Sequence, residues 1–211
     1  MNMIYLTLFI GIIFSTPYYL SSQTTENRKV FISTPTYAEI ISTYTNLVKG
    51  SKIAQFKAHG LTDVGKPLHL LVLSADGKFD PASNVSKTKI LINNGIHPGE
   101  PDGIDACIEL TRKILANPEL LPANVVICII PVYNIDGCLN RGSTSRVNQN
   151  GPIEYGFRGN AKNLDLNRDF IKCDASNTIS FEKIFQAWKP DVFIDTHVSN
   201  GADYQYVMTL I

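Results

Sequence analysis

Lys89–Asp105 reads KILINNGIHPGEPDGID, and the interpretation of this stretch decides the fold. Its apolar run (Ile90, Leu91, Ile92) has strand character and ends at Asn93-Asn94-Gly95, a turn-forming cluster. A helical pattern opens at Gly103, and between the two the chain carries His97 and Glu100. An imidazole and a carboxylate separated by two residues, on a loop leaving a strand, can be aimed together at one divalent ion. Pro98 fixes one backbone angle and Gly99 frees the next, so the loop can turn sharply. H-x-x-E by itself arises often by chance. Its plain reading is a loop His beside a Glu that favours the positive end of the following helix.

Outward from this stretch the chain alternates strand and helix patterns. Upstream, Tyr37–Val48 has apolar residues at helical spacing after Ser33-Thr34-Pro35-Thr36, which reads as a cap and start. Ile53–Ala58 and Leu68–Leu73 read as the two strands of a hairpin, and Asp80–Lys87 as a polar surface loop. Lys89–Asn93 is the strand that leads to His97. Downstream, Gly103–Leu115 is an amphipathic helix with Ile104, Cys107, Leu110, Ile114 and Leu115 on one side. Asn124–Pro131 is continuously apolar and β-branched, as in a parallel strand covered on both faces. Val132–Ser176 is rich in Asn, Gly and Arg and has almost no periodic pattern, and a loop that long inside a domain usually serves function. Ser180–Trp188 reads as a helix, Asp191–Thr196 as another buried-type strand ending at His197, and Tyr204–Ile211 as the start of one more. The order predicts an α/β fold: a mixed, largely parallel sheet with flanking helices. Ligands bind such sheets beyond the carboxyl ends of the strands. His97, Glu100 and His197 all fall there.

With 211 residues, 44% hydrophobic and 18% charged, the chain has the balance of one ordinary globular domain. Lys+Arg and Asp+Glu are equal at 19 each, so no global field points to nucleic acid or acidic lipid. Met3–Phe14 is a twelve-residue apolar run followed by a polar stretch. That is too short for a membrane span and suits a secretory leader, although no Lys or Arg precedes it. Met1–Gln23 are therefore taken as a leader, residues 24–211 as the mature domain, and the protein as secreted or periplasmic. Cys107 and Cys128 read as small buried hydrophobes. Cys138 and Cys173, in loop-like stretches, are the candidates for a disulfide in an oxidising compartment.

Three further groups fall in or near the long loop: Arg146 to Pro152 (RVNQNGP) with Arg158-Gly159-Asn160-Ala161 after it; Asn163 to Phe170 (NLDLNRDF); and Asp195-Thr196-His197 with VSNGAD following. Guanidinium groups grip carboxylates with two parallel hydrogen bonds and also stabilise a developing oxyanion. Together with HPGE, these residues resemble the zinc metallocarboxypeptidases, the carboxypeptidase A-like family, and within it bacterial members with an H-P-G-E motif. The resemblance runs from about Tyr37 to the end of the chain. It implies a carboxypeptidase-like (phosphorylase/hydrolase-like) fold and one zinc ion held by His97, Glu100 and His197. It implies that Asn167 and Arg168 hold the terminal carboxylate of a peptide substrate and that Arg146 polarises the scissile carbonyl. Asp165 matches the carboxylate that orients a zinc-binding His. Two His and one carboxylate also suit iron or manganese. Arg158 reads as an ordinary loop arginine, Asp136 as a turn former, Asp102 and Asp105 as a helix start, and His59 and His69 as structural or surface residues.

One part of the resemblance has no counterpart. The family's general-base Glu and its substrate-capping Tyr come well downstream of the third zinc ligand, and Ile211 is only fourteen residues past His197. Glu182 precedes His197, and Tyr204 and Tyr206 are too close to it. The expectation is a fragment, the N-terminal two-thirds of a catalytic domain, monomeric, and on its own a weak binder of zinc that hydrolyses peptides poorly or not at all. Two other readings share the pattern: a zinc amidase or deacylase of N-acyl amino acids, and a non-catalytic module that binds zinc or peptide C-termini.

Overall fold

The computed structural model describes residues 34–146 and 152–198. The leader expected at 1–23 and the strand expected at 204–211 lie outside them. Helix α1 (Tyr37–Leu47) opens on a reciprocal cap in which the Glu39 N–H donates to Thr36 Oγ1 and the Thr36 N–H donates to Glu39 Oε2. Strands β1 (Ala54–Leu61) and β2 (Pro67–Ser74) form the antiparallel hairpin expected from the two runs. Strand β3 (Thr88–Asn93) leads to α2 (Asp102–Ala116), followed by β4 (Val125–Ile130). A short helix α3 (Ile135–Leu139), a ribbon of β5 (Arg141–Gly142) and β6 (Tyr155–Gly156), helix α4 (Ser176–Trp188) and strand β7 (Val192–Asp195) complete the described chain.

The main sheet runs β1-β2-β4-β3-β7. β2 pairs antiparallel with β1 and β4, whereas β3 lies between β4 and β7 and is parallel to both. The fold is mixed α/β, and the three parallel strands carry the half of the sheet that matters for the site. Alternate residues of β2 serve opposite faces. His69 stacks on Phe56 and faces Tyr37 of α1, while Leu70 and Val72 line a cavity with Ile184 and Trp188 of α4. With Leu91, Val126, Cys128 and Ile129 these strands supply the apolar centre.

Some expectations need correction. The buried face of α2 is Ile104, Cys107, Ile108, Thr111 and Ile114, with Leu110 and Leu115 packed against the core but only partly buried. Thr111 can be buried because its hydroxyl donates to the Cys107 carbonyl at 2.7 Å. Helix α4 starts four residues before the apolar pattern, since its first turn buries Asn177, Thr178 and Ser180, each hydrogen-bonded. The long loop is not structureless. Asn134 caps α3 by accepting from the Gly137 N–H, and Asp136, expected in a turn, is a buried residue of that helix. Strand β7 is less covered than a buried-type strand should be: Val192, Phe193 and Ile194 are exposed, because among the described residues β7 pairs only with β3. All four cysteines are free, so Cys138 and Cys173 do not pair.

One buried carboxylate ties distant parts of the chain together. Asp63, in the hairpin turn, has a side chain only 3% exposed. It accepts hydrogen bonds from the Ser176 N–H, Asn160 Nδ2 and Lys162 Nζ at 3.2, 2.8 and 2.9 Å. The Asp63 N–H in turn donates to Asn177 Oδ1. Removing the carboxylate strands a buried amide and a helix-start N–H. Asp63→Ala is expected to lower stability by about 2–3 kcal/mol, the range for buried bonds to a charged group. A urea unfolding midpoint equal to that of the parent chain would contradict this.

Candidate metal centre

Past β3 the chain stays hydrogen-bonded to the segment leaving β4. The Tyr133 N–H donates to the Asn94 carbonyl at 2.7 Å and the Asn134 N–H to the Gly95 carbonyl at 3.1 Å. Asn134 Nδ2 also reaches the Ile96 carbonyl. These bonds let residues 94–100 be buried without stranding polar backbone. Gly95 has φ +63°, and a Cβ there would press on Ile104 and Val132 at 3.1 Å. Gly99 serves differently from the torsional role expected of it: its φ is not positive, but a Cβ would lie 2.8 Å from Arg146 Nε. Its contribution is room.

Strand β7 delivers the other half. Register pairs Asn93 with Asp195 across the parallel strands. The Thr196 N–H donates to the Asn93 carbonyl at 3.0 Å and its hydroxyl donates to Asn94 Oδ1. Gly103, in the first turn of α2, gives Thr196 its space, since any Cβ there would collide with the Thr196 side chain. His197 follows directly.

These segments bring His97, Glu100 and His197 together, with one candidate ligand atom from each within 4.8 Å of the others. Glu100 and His97 are each 2% exposed. His97 Nδ1 lies 3.1 Å from Glu100 Oε1, and His197 Nδ1 lies 3.2 Å from Glu100 Oε2. The Val198 N–H donates to Oε2 at 3.1 Å and Arg146 Nη2 to Oε1 at 2.8 Å. Burial opposes ionisation of Glu100. The bonds from His197, His97, Val198 and Arg146 outweigh it and hold the carboxyl well below the usual carboxylate range.

On its far side each ring meets another carboxylate. His97 Nε2 is 3.1 Å from Asp165 Oδ1, and His197 Nε2 is 2.9 Å from Asp195 Oδ2. Carboxylates only accept, so a ring that turned its Nδ1 lone pair inward to a metal would carry its proton on Nε2, toward Asp165 or Asp195. Two inward nitrogens and one ionised carboxylate make a donor set that suits zinc. The residues present fit that ion.

The loop 158–168 closes the centre from another side. Asp165 caps the 3-10 turn Leu166–Arg168 by accepting from the Asn167 N–H at 3.0 Å. Its Oδ2 accepts from Arg158 Nε and Nη2 at 3.1 and 3.0 Å. Asn167 is half-buried and Arg168 exposed on the same turn. Sequence reasoning passed over two residues that the structure brings here. Arg158 is no ordinary loop arginine: its Nη1 lies 3.5 Å from His97 Nδ1. Asp195 holds His197, and the signal for it was the D-x-H spacing itself. His59 and His69 have no contact with the centre: His69 belongs to the aromatic packing of the hairpin, and His59 to the wall of the cavity under α4.

The family profile described as zinc carboxypeptidase matches residues 40–197, which span both segments of the centre. Carboxypeptidase 2 of Trichophyton equinum is 26% identical over 144 residues, 67% of this chain and 24% of that protein. The corresponding protein of Trichophyton rubrum is 25% identical over 150 residues, 70% of this chain and 25% of its own length. The chain thus spans about a quarter of the curated relatives it matches. Among solved structures, a metallo-carboxypeptidase from Burkholderia cenocepacia superposes with a TM-score of 0.64 at 21% identity, covering 81% of this chain and 43% of that one. A metallo-carboxypeptidase from Pseudomonas aeruginosa, solved with (2-guanidinoethylmercapto)succinic acid, gives 0.61 at 19% identity, covering 80% of this chain and 41% of that one. The profile match covers most of the sequence and every residue from the loop after β3 to the last imidazole, and on that ground the chain belongs to the zinc carboxypeptidase family.

Proposed function

We propose that residues 24–211 supply the zinc centre and the carboxylate-gripping loop of a secreted or periplasmic carboxypeptidase that removes C-terminal residues from peptides. The observation that carries this reading is the convergence of His97, Glu100 and His197 from distant parts of the chain. Bound there, zinc would supply Lewis acidity and lower the pKa of water to about 7. His97, Glu100 and His197 would hold it, with Asp165 fixing the His97 ring. Asn167 and Arg168 sit on one short turn whose start is pinned by Asp165, so a peptide carboxylate held there stands at a set distance from the centre. No helix among the described residues is long and apolar enough to cross a membrane.

Arg146 takes the carbonyl-polarising role in this proposal, with Arg158 as the second candidate. The two differ in freedom. The Arg146 side chain is 9% exposed and bonded to Glu100, while that of Arg158 is 40% exposed and bonded to Asp165. Among the described residues Glu100 is the glutamate of the centre, and it serves as a ligand. The group that takes the proton from the attacking water is proposed to lie outside residues 34–198.

Peptide binding separates this reading from its rivals. The zinc-loaded chain should bind a peptide with a free C-terminal carboxylate more tightly than its C-terminal amide. Arg168→Ala should erase that preference, roughly 10–100-fold, as expected for loss of charge-assisted hydrogen bonds. Equal affinity for acid and amide in the parent chain would overturn it, and turnover of N-acyl amino acids without peptide binding would point to an amidase. His97→Ala should abolish uptake of zinc.

Zinc uptake should also expel a proton. Hydrogen bonds to Asp195 and Glu100, acting against burial, raise the His197 imidazole to about 9. Metal-free His197 is therefore protonated at pH 7, and a metal needs the neutral ring. Apparent zinc affinity should rise about tenfold per pH unit towards pH 9 from this group and level off above it. Titration calorimetry in buffers of different ionisation enthalpy measures the proton; a pH-independent affinity between 6 and 8 would contradict the assignment.

A further inference from the structure

We propose that Asp195, backed by Asn93, is the positioning residue of His197, forming a carboxylate clamp equivalent to that of Asp165 on His97; this rests on the zinc reading above. The parallel register places Asn93 and Asp195 side by side on β3 and β7. Side chains at paired positions of neighbouring strands share a face, so the contact is set by the sheet rather than by a loop. Asn93 Nδ2 donates to Asp195 Oδ1 at 3.0 Å, and Asp195 Oδ2 meets His197 Nε2 at 2.9 Å. The two carboxylate oxygens are thus divided between a fixed amide and the ring.

Asn93 is fully buried, and its Oδ1 has no hydrogen-bond partner among the described residues. A buried carbonyl without a partner is a desolvation cost, and a Leu or Val at that position of a central strand would avoid it. What Asn93 provides in return is the N–H that stops Asp195 from rotating away. His197 needs such support more than His97 does. Its side chain is 33% exposed against 2% for His97, so packing restrains it less. The ring of His97 is also held by a neighbouring guanidinium at 3.5 Å, whereas His197 relies on Asp195 and Glu100.

The test is metal affinity rather than turnover. Zinc binding to the parent chain, Asp195→Asn, Asn93→Ala and Asp165→Asn is measured by competition with a chromophoric chelator, alongside the unfolding midpoint of each metal-free protein. Asp195→Asn should weaken zinc by about 10–100-fold, as loss of an imidazole's outer partner does, and match Asp165→Asn. Asn93→Ala should weaken it in the same direction by less. The loss of zinc affinity in Asp195→Asn should exceed what any drop in its metal-free midpoint accounts for, which a merely structural role would not permit. Zinc affinity of Asp195→Asn within twofold of the parent overturns the clamp while leaving the centre intact; a parent chain that takes up no zinc ends the zinc reading itself. Should Asp195→Asn fail to fold, 15N shifts of His197 in the zinc-loaded parent decide the matter. A proton on Nε2 and metal on Nδ1 support the clamp, and the reverse arrangement overturns it.

Discussion

A carboxylate as buried as Glu100 stays charged only if donors converge on it, and the site is built around that requirement. Two imidazoles, one guanidinium and one backbone N–H meet its two oxygens. They arrive from the loop after β3, from the segment after β5 and from the end of β7. No single segment could satisfy the charge, so closing the sheet and assembling the site are one event. A metal ion would take over the same demand with its own positive charge. Glu100 therefore has a role in folding and a role in binding that cannot be separated by substitution at that position.

The sheet supplies the alignment. β3 and β7 are parallel neighbours, so their carboxyl ends lie at the same level and their departing loops rise on the same side. Residues 102 positions apart in the chain, Asn93 and Asp195, become partners at that level. The loop carrying Asp165 then closes over the first imidazole, held at its base by Asn160. The Asn160 side-chain oxygen accepts from the Lys162 and Leu164 N–H groups, while its Nδ2 reaches Asp63. Hydrogen bonding to fixed backbone makes this loop a structural part rather than a tether.

Continuous apolar runs made the strands legible in the sequence, and ligand-type residues just past two strand ends made the centre legible. Other features left weaker marks. A five-residue helix such as α3 is too short to show a period, and its Asn134 cap looks like any loop asparagine. The first turn of α4 buries polar side chains with partners elsewhere, which breaks the apolar pattern that would announce it. Gly99 illustrates a different limit. Its need for space depends on Arg146, 47 positions away, and no local rule reveals such a neighbour. Arg158 and Asp195 belong to the same class: their chemistry is visible, but their partners are set by tertiary contact.

The Asp63 junction has a practical corollary. Hairpin tips are ordinarily where a chain accepts tags, inserted peptides or new termini, because little depends on them. Here the tip between β1 and β2 is bonded to the start of α4 and to the loop that presents Asn167 and Arg168. Splicing foreign sequence between Thr62 and Lys66 would loosen a surface more than a hundred residues downstream. Fusion partners and cysteine labels are better placed at the exposed Val85 and Ser86, clear of Lys87, which is bonded to Ser74 and Asp76.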